Sequence, residues 1–313
     1  MNKQESDILN VILQYHCRNQ RALAERCGFS LGMVNRSVKA LQGQGFLTTD
    51  MELTEKARLE MAKHRPKNAV ILAAGYGMRM VPINMETPKG LLEVEGEPLI
   101  ERLIRQLHVV NVKEIYVVVG FKKEQYDYLV DQYGVKLVVN MEYAEKNNLH
   151  SLAKVLPQLG ETYLMPCDLW CRENPFSEYE WYSWYLVSDA KDPDSTVRVS
   201  RKWELVPQGG EKEGNHMIGI SYLTDSVAQS MARTRLSVGR FTTNSPLSLI
   251  KWWLYRSGRT LMDSIGGWVQ IVPVQPTVIR FGFSGTPQLT STGGSGFSRV
   301  DPFHTCRLIA HPP

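Results

Sequence analysis

Leu72-Ala73-Ala74-Gly75-Tyr76-Gly77-Met78-Arg79-Met80, followed a little later by Thr87-Pro88-Lys89, is the stretch on which the reading of this chain turns. The apolar run Ala69-Val70-Ile71-Leu72 before it has the length of a buried strand, and the glycines end that strand. Without a Cβ, Gly75 and Gly77 let the backbone approach phosphate oxygens and turn its amides toward them. Arg79 and Lys89 supply countercharge. A dinucleotide-binding loop would need a third glycine where Met80 stands, and a Walker-type loop would need Gly-Lys-Ser/Thr, whereas Pro88 precedes Lys89. The bland reading is a glycine-rich turn between a strand and a helix.

Working outward, strands and helices alternate. Leu99 to His108 is amphipathic, Glu114 to Val119 is a second strand ended by Gly120, and Lys123 to Tyr133 reads as a helix. Lys136 to Val139 is a third strand, His150 to Leu159 a helix, and Thr162 to Met165 a fourth strand. This order specifies parallel β-α-β units with both sheet faces covered, and ligands then lie beyond the carboxyl ends of the strands. Functional groups are therefore expected after Leu72, Val119, Val139 and Met165. Pro166-Cys167-Asp168 puts a carboxylate at that edge. Magnesium takes hard oxygen ligands and usually binds one or two carboxylates plus substrate phosphates, so Asp168 suffices as the protein's contribution. The bland alternative is an Asp that caps the next turn.

The combined pattern, LAAGxGxR followed by PK, resembles the nucleotidyltransferase superfamily that makes nucleotide sugars and related activated compounds. Three later stretches narrow it. Asn140 to Leu152 is similar to the N-x-x-Y-x-x-x-N-x-x-x-S stretch of the bacterial CTP:phosphocholine cytidylyltransferases. Val119 to Leu129 resembles that family's GYxxEQFxYL stretch, and Lys202-Trp203-Glu204 with Gly219-Ile220-Ser221-Tyr222 resembles its Trp-containing loop and GISY strand. The resemblance spans roughly residues 68 to 230. It implies that Leu72, Ala73, Ala74, Gly75 and Gly77 hold the nucleotide, that Arg79 and Lys89 contact its phosphates, and that Asn147 and Ser151 lie at the nucleotide pocket. It also implies that Asp168 binds Mg2+. Trp203 and Tyr222 would face the trimethylammonium group, which is stabilised over aromatic faces by about 0.5 to 2 kcal/mol per contact. The implied reaction is attack of choline phosphate on the α-phosphorus of CTP, or of another NTP, with loss of pyrophosphate.

Upstream, Glu5 to His64 has the pattern of a winged helix-turn-helix. Ile8, Leu9, Ile12 and Leu13 mark a first helix, Arg21 to Cys27 a second stopped by Gly28, and Ser30 caps a third with Met33, Val34, Val38 and Leu41 inward. Gly45 to Thr54 reads as a two-stranded wing and Glu55 to Lys63 as a closing helix. This resembles the winged-helix domains of bacterial transcription regulators. The resemblance places the third helix in the major groove, with Asn35, Arg36 and Lys39 reaching bases or phosphates of DNA. The competing reading is a docking module with a solvated polar face.

The expected fold is thus α/β, a Rossmann-like, mostly parallel nucleotidyltransferase domain over 67–235, preceded by a small winged-helix domain over 1–65. Residues 236–313 differ in character, with no glutamate, two aspartates and one lysine, and with serine, threonine, glycine and proline filling the end. They read as out-of-frame translation or as a divergent, partly disordered extension. Five scattered cysteines give neither a disulfide framework nor a paired zinc motif. The start, MNKQESDILN, is not a secretory signal, and with no membrane-spanning run the chain is expected to be cytoplasmic. A net charge of +4 over 313 residues does not by itself call for nucleic acid. Three functions stay open: a cytidylyltransferase, a sugar-1-phosphate nucleotidyltransferase, and a DNA-binding regulator using an inactive transferase fold as sensor.

Overall fold

Helices α1 (Lys3–Tyr15), α2 (Gln20–Cys27), α3 (Leu31–Gly43) and α4 (Glu55–Ala62) build the head. This computed structural model describes residues 1–17, 19–76, 86–145, 148–193, 195, 197–200, 205–207, 213–237 and 278–280. Each helix starts where a side chain takes up an otherwise orphaned amide. The Asn2 side chain accepts from the Glu5 amide while the Glu5 carboxylate accepts from the Asn2 amide, and Asn19, Ser30 and Thr54 cap the next three. Gly28 ends α2 at φ 66, a left-handed conformation that costs glycine little. Ile8, Leu9, Leu23, Val34, Val38 and Leu41 close a small core. The expected wing is a short hairpin, with Leu47 bridged to Leu53, the Thr48 amide donating to the Glu52 carbonyl and the Thr54 amide to the Phe46 carbonyl, and Met51 turning the chain at φ 61.

The second domain is built on β1 (Asn68–Ala73), buried along its whole length. A small hairpin, β2 (Glu93–Val94) and β3 (Glu97–Pro98), leads into α5 (Leu99–Val109). Next come β4 (Ile115–Val119), α6 (Tyr128–Tyr133), β5 (Lys136–Val139), α7 (Asn148–Lys154), β6 (Thr162–Pro166) and β7 (Leu169–Cys171). Beyond these lie β8 (Trp184–Asp192), β9 (Val197–Val199), β10 (Leu205–Pro207), β11 (Gly214–Leu223), α8 (Asp225–Ser237) and β12 (Val278–Arg280). The main sheet has the order β5-β4-β1-β6-β11-β8. Its first four strands are parallel, and β11 and β8 join antiparallel, so the expected mostly parallel sheet is present with a reversed edge that the sequence reading did not contain. Helix α5 lays Ile100, Leu103, Ile104 and Leu107 on the sheet, the i, i+3, i+4, i+7 stripe of an amphipathic helix.

Two expected helices are shorter than read. The Lys123 to Tyr133 segment divides into a 3₁₀ turn and α6, and α7 gives way to a 3₁₀ turn at Leu156–Gln158, where Pro157 has no amide to continue the α-ladder. Of the tail, 238–277 and 281–313 lie outside the described residues, and β12 pairs antiparallel with β7.

The head is seated on the second domain through α1. Asn10 donates to the Tyr179 carbonyl at 3.1 Å and accepts from Trp181 Nε1 at 3.0 Å, and the Tyr182 hydroxyl donates to Asp7. Beneath this contact Glu180 is buried, accepting from the Tyr163 hydroxyl and from Trp184 Nε1. Burial pushes its carboxyl up to about 8, only partly opposed by those two hydrogen bonds and reinforced by the nearby Asp7. The raised value means the folded chain holds this proton more tightly than the unfolded chain, so stability falls as pH rises from the ordinary carboxylate range to about 8. Urea denaturation of the protein should show that loss, on the order of 2 to 4 kcal/mol, and Glu180→Gln should flatten the profile over the same window.

Candidate active site

The parallel register sets the carboxyl ends of β4, β1 and β6 level, with Leu72 opposite both Val118 and Pro166. Backbone bonds stitch the loops that leave them. The Leu72 carbonyl accepts from the Cys167 amide at 3.1 Å, the Ala74 carbonyl from the Phe121 amide at 3.2 Å, and the Val119 carbonyl from the Asn140 amide at 2.8 Å. Leu72, Ala73 and Ala74 are buried, and the chain emerges at Gly75 and Tyr76, whose ring lies 4.3 Å from that of Phe121. Phe121 in turn meets Tyr143.

Gly120 makes this crossing possible. A Cβ there would stand 2.8 Å from the Ala74 carbonyl oxygen and 2.8 Å from Tyr143 Cβ. Gly120→Ala must therefore push the β1 and β4 loops apart. Its expected cost is about 1–3 kcal/mol in chemical denaturation, with a weaker nucleotide affinity in calorimetry because the first loop moves.

Lys89 and Asp168 meet at this edge, with Nζ 3.0 Å from Oδ2 and both side chains mostly but not wholly covered, 19% and 16% exposed. Gly90 explains the approach. Its missing side chain lets the Lys89–Leu91 turn lie on Cys167, since a Cβ would stand only 3.1 Å from Cys167 Cβ. The arm before it is held by Lys122 and Gln125, which donate to the Glu86 carbonyl at 2.7 and 3.1 Å. The sequence reading missed Gly90 and gave Lys122 and Gln125 no role; a glycine directly after the candidate lysine was the only local signal. Cys167, beside the pair, is a packing residue. Burial pushes its thiol up to about 12, far from a reactive thiolate.

Ser151 is buried, and its hydroxyl accepts from Asn140 Nδ2 at 2.9 Å; Asn140 Oδ1 accepts from the Glu142 backbone amide at 3.1 Å. Together they brace the turn that leaves β5. Tyr222 is not brought to this edge. Its register partner is Tyr163, near the amino end of β6, and its ring is fully buried 5.2 Å from the Tyr163 ring while its hydroxyl bonds Glu161. That position makes it a core residue and removes it from the expected ammonium contact. Gly77, Arg79, Asn147 and Trp203 lie outside the described residues. In the head, Arg36 and Lys39 are exposed on α3, whereas Asn35 is half-buried and donates to Gln20 at 3.0 Å.

Among the described residues no three His, Cys, Asp or Glu side chains cluster as a metal cage. Asp168 is the carboxylate at the edge, and its hard oxygens suit a magnesium ion that takes its remaining ligands from phosphates and water. No described helix is long and apolar enough to cross a membrane.

Comparison with known proteins agrees with this geometry. Residues 69–181 match the family model of the MobA-like NTP transferase domain, and residues 1–48 match that of the winged helix-turn-helix DNA-binding domain. A 2-aminoethylphosphonate cytidylyltransferase of Lancefieldella rimae is 36% identical over 181 residues, 53% of this chain and 70% of that protein. A choline-phosphate cytidylyltransferase of Streptococcus pneumoniae is 44% identical over 108 residues, 34% of this chain and 47% of that protein. The chain thus spans about half the length of the pneumococcal relative. The solved structure of the CTP:phosphocholine cytidylyltransferase from Streptococcus pneumoniae superposes with a TM-score of 0.55 at 28% identity, covering 66% of this chain and 89% of that one. With a mostly parallel α/β sheet and relatives of this kind, the chain belongs to the cytidylyltransferases of the nucleotidyltransferase superfamily and carries a winged helix-turn-helix head.

Proposed function

We propose that this chain transfers CMP from CTP to choline phosphate, releasing pyrophosphate. The observation that carries the reading is the Lys89–Asp168 pair at the carboxyl edge of the sheet, next to Cys167, whose amide bonds the Leu72 carbonyl of β1. The two charges neutralise each other across 3.0 Å. A nucleotide and its cation would exchange partners with them, the Lys89 ammonium turning to phosphate oxygens and the Asp168 carboxylate to the metal. Magnesium held by Asp168 would neutralise the charge of the triphosphate. An oxygen of choline phosphate attacks the α-phosphorus in line with the departing pyrophosphate, and no covalent protein intermediate is required. Arg79 is assigned to the same phosphates, Gly77 and Asn147 to the nucleotide, and Trp203 to the trimethylammonium group, each on the family motif it matches.

The Lancefieldella relative favours a second acceptor, 2-aminoethylphosphonate, which shares with choline phosphate an ammonium head and a phosphorus oxyanion. Pyrophosphate release over the four NTPs, each with choline phosphate, 2-aminoethylphosphonate and hexose 1-phosphates, tests the reading. CTP with choline phosphate is expected to dominate; dominance of a hexose phosphate would overturn it.

The head supports DNA binding as a second activity, because Arg36 and Lys39 stand exposed on α3, the helix that enters the groove in such domains. Arg36→Ala and Lys39→Ala are each expected to weaken binding to duplex DNA and to lower the salt slope by about one, read by anisotropy between low and moderate salt. Salt-independent or absent binding by the parent chain would leave the head as a docking module.

A further inference from the structure

Lys89 and Asp168 come from segments far apart in the chain, and each is fixed on its upstream side by bonds already described. Lys122 and Gln125 hold the Glu86 carbonyl before Lys89, and the Cys167 amide holds the Leu72 carbonyl before Asp168. Their downstream sides meet at one side chain, Arg102 of α5. Its Nε donates to the Cys171 carbonyl at 2.6 Å and one Nη to the Arg172 carbonyl at 2.6 Å, at and just past the end of β7, the strand that follows Asp168. The other Nη donates to the Glu97 carboxylate at 3.0 Å, in the hairpin that follows Lys89. The start of α5 is pinned to the same arm, since the Leu99 amide donates to the Leu92 carbonyl at 3.0 Å and the Leu92 amide to the Lys89 carbonyl at 3.2 Å. Buried Trp170 fixes the plane of the fork, with the guanidinium 4.6 Å from its ring centroid. Gln106, one turn further along α5, adds a second donor to the Cys171 carbonyl at 2.9 Å.

We propose that Arg102 is a positioning residue for the transfer reaction, tying the arm that carries Lys89 to the strand that carries Asp168 so that both charges face one triphosphate. The inference rests on the reading of that pair as the phosphate and metal site. A guanidinium presents its donors in a rigid planar fork, so three acceptors on two segments are held at fixed mutual distances. An ammonium on a flexible stem cannot hold that geometry. Small displacements matter here, because a misplacement of about 1 Å by a change away from the chemistry can cost about 100-fold in rate. Arg105 supplies the contrast. It also donates to Glu97 but, among the described residues, does not reach the 171–172 carbonyls.

Steady-state pyrophosphate release from CTP and choline phosphate by full-chain variants tests this. Arg102→Met is expected to lower kcat about 10- to 100-fold, with most of the loss in kcat rather than in KM for CTP. Arg102→Lys keeps the stem and the charge over Trp170, and it should fold yet recover little of that loss. In a Lys89→Ala background Arg102→Met should cost far less than it does alone, since it acts through the same contact. Arg105→Met should keep kcat near that of the parent. A parent-like kcat in Arg102→Lys, an equal loss in Arg105→Met, or full additivity with Lys89→Ala would overturn the proposal. A crystal structure of Arg102→Lys reads the same question without substrate. The Lys89 Nζ to Asp168 Oδ2 contact, 3.0 Å in the parent, is expected to open beyond hydrogen-bond reach. An unmoved pair would overturn the inference whether or not the parent turns over CTP, whereas an opened pair together with an inactive parent would sink the transfer reading alone.

Discussion

Replacing Lys89 by alanine is expected to lower the rate of pyrophosphate release about 100- to 1,000-fold at saturating CTP, the scale seen when one preorganised charge or donor is removed from a developing anion. The structure supplies the reason. Lys89 is delivered to the sheet edge by a turn that Gly90 lets lie closely on Cys167, and the arm before it is anchored at the Glu86 carbonyl by Lys122 and Gln125. Little of the loss should come from instability. The pair with Asp168 is reachable by water, and such ion pairs contribute roughly 0–1 kcal/mol. Steady-state kinetics combined with a thermal melt separates the two causes. A variant that turns over normally would exclude the proposed mechanism, and one that merely melts early would say nothing for it.

Asp168→Asn is expected to abolish metal-dependent turnover while leaving the fold intact. The asparagine keeps the shape and can still accept from Lys89, but it loses the charge that a divalent ion requires. Activity measured across a magnesium titration should stay at background, with an unchanged circular dichroism spectrum. Activity restored at moderate magnesium would mean that the carboxylate only caps its turn. Combined with Lys89→Ala, the second change should cost far less than it does alone, because groups that act on one triphosphate do not contribute additively.

The parallel half of the sheet was legible because β1, β4 and β6 are buried on both faces and read as near-continuous apolar runs, with the half-exposed edge strand β5 a short apolar run beside them. Ala69 to Leu72, Glu114 to Val119, Lys136 to Val139 and Thr162 to Met165 each fall within or across the observed strands. Strand β8 carries Ser188, Asp189 and Lys191, so no apolar run announces it, and β11 was legible only at Gly219 to Tyr222, through resemblance to the GISY strand. Lys89 and Asp168 stand in recognisable motifs of the sequence, and the fold brings the two side chains together. Gly90 and Gly120 were not legible, since their value lies in what would collide with a side chain they lack. Tyr222 shows the opposite failure. An aromatic in a family-like strand suggested a ligand contact, yet its pairing with Tyr163 turns it into the core. The seating of α1 against 179–182 was invisible because each partner reads as ordinary surface until the other is beside it.

That seating couples the two halves of the chain. Asn10 both gives a hydrogen bond to Tyr179 and receives one from Trp181, and two residues after Tyr182 the chain enters strand β8. A head transplanted from an unrelated regulator would lack the matching amide and carboxylate on its opening helix. Shuffling these modules therefore demands simultaneous change on both sides of the seam, and lineages carrying this architecture should inherit the residues at 7, 10, 181 and 182 as a linked set.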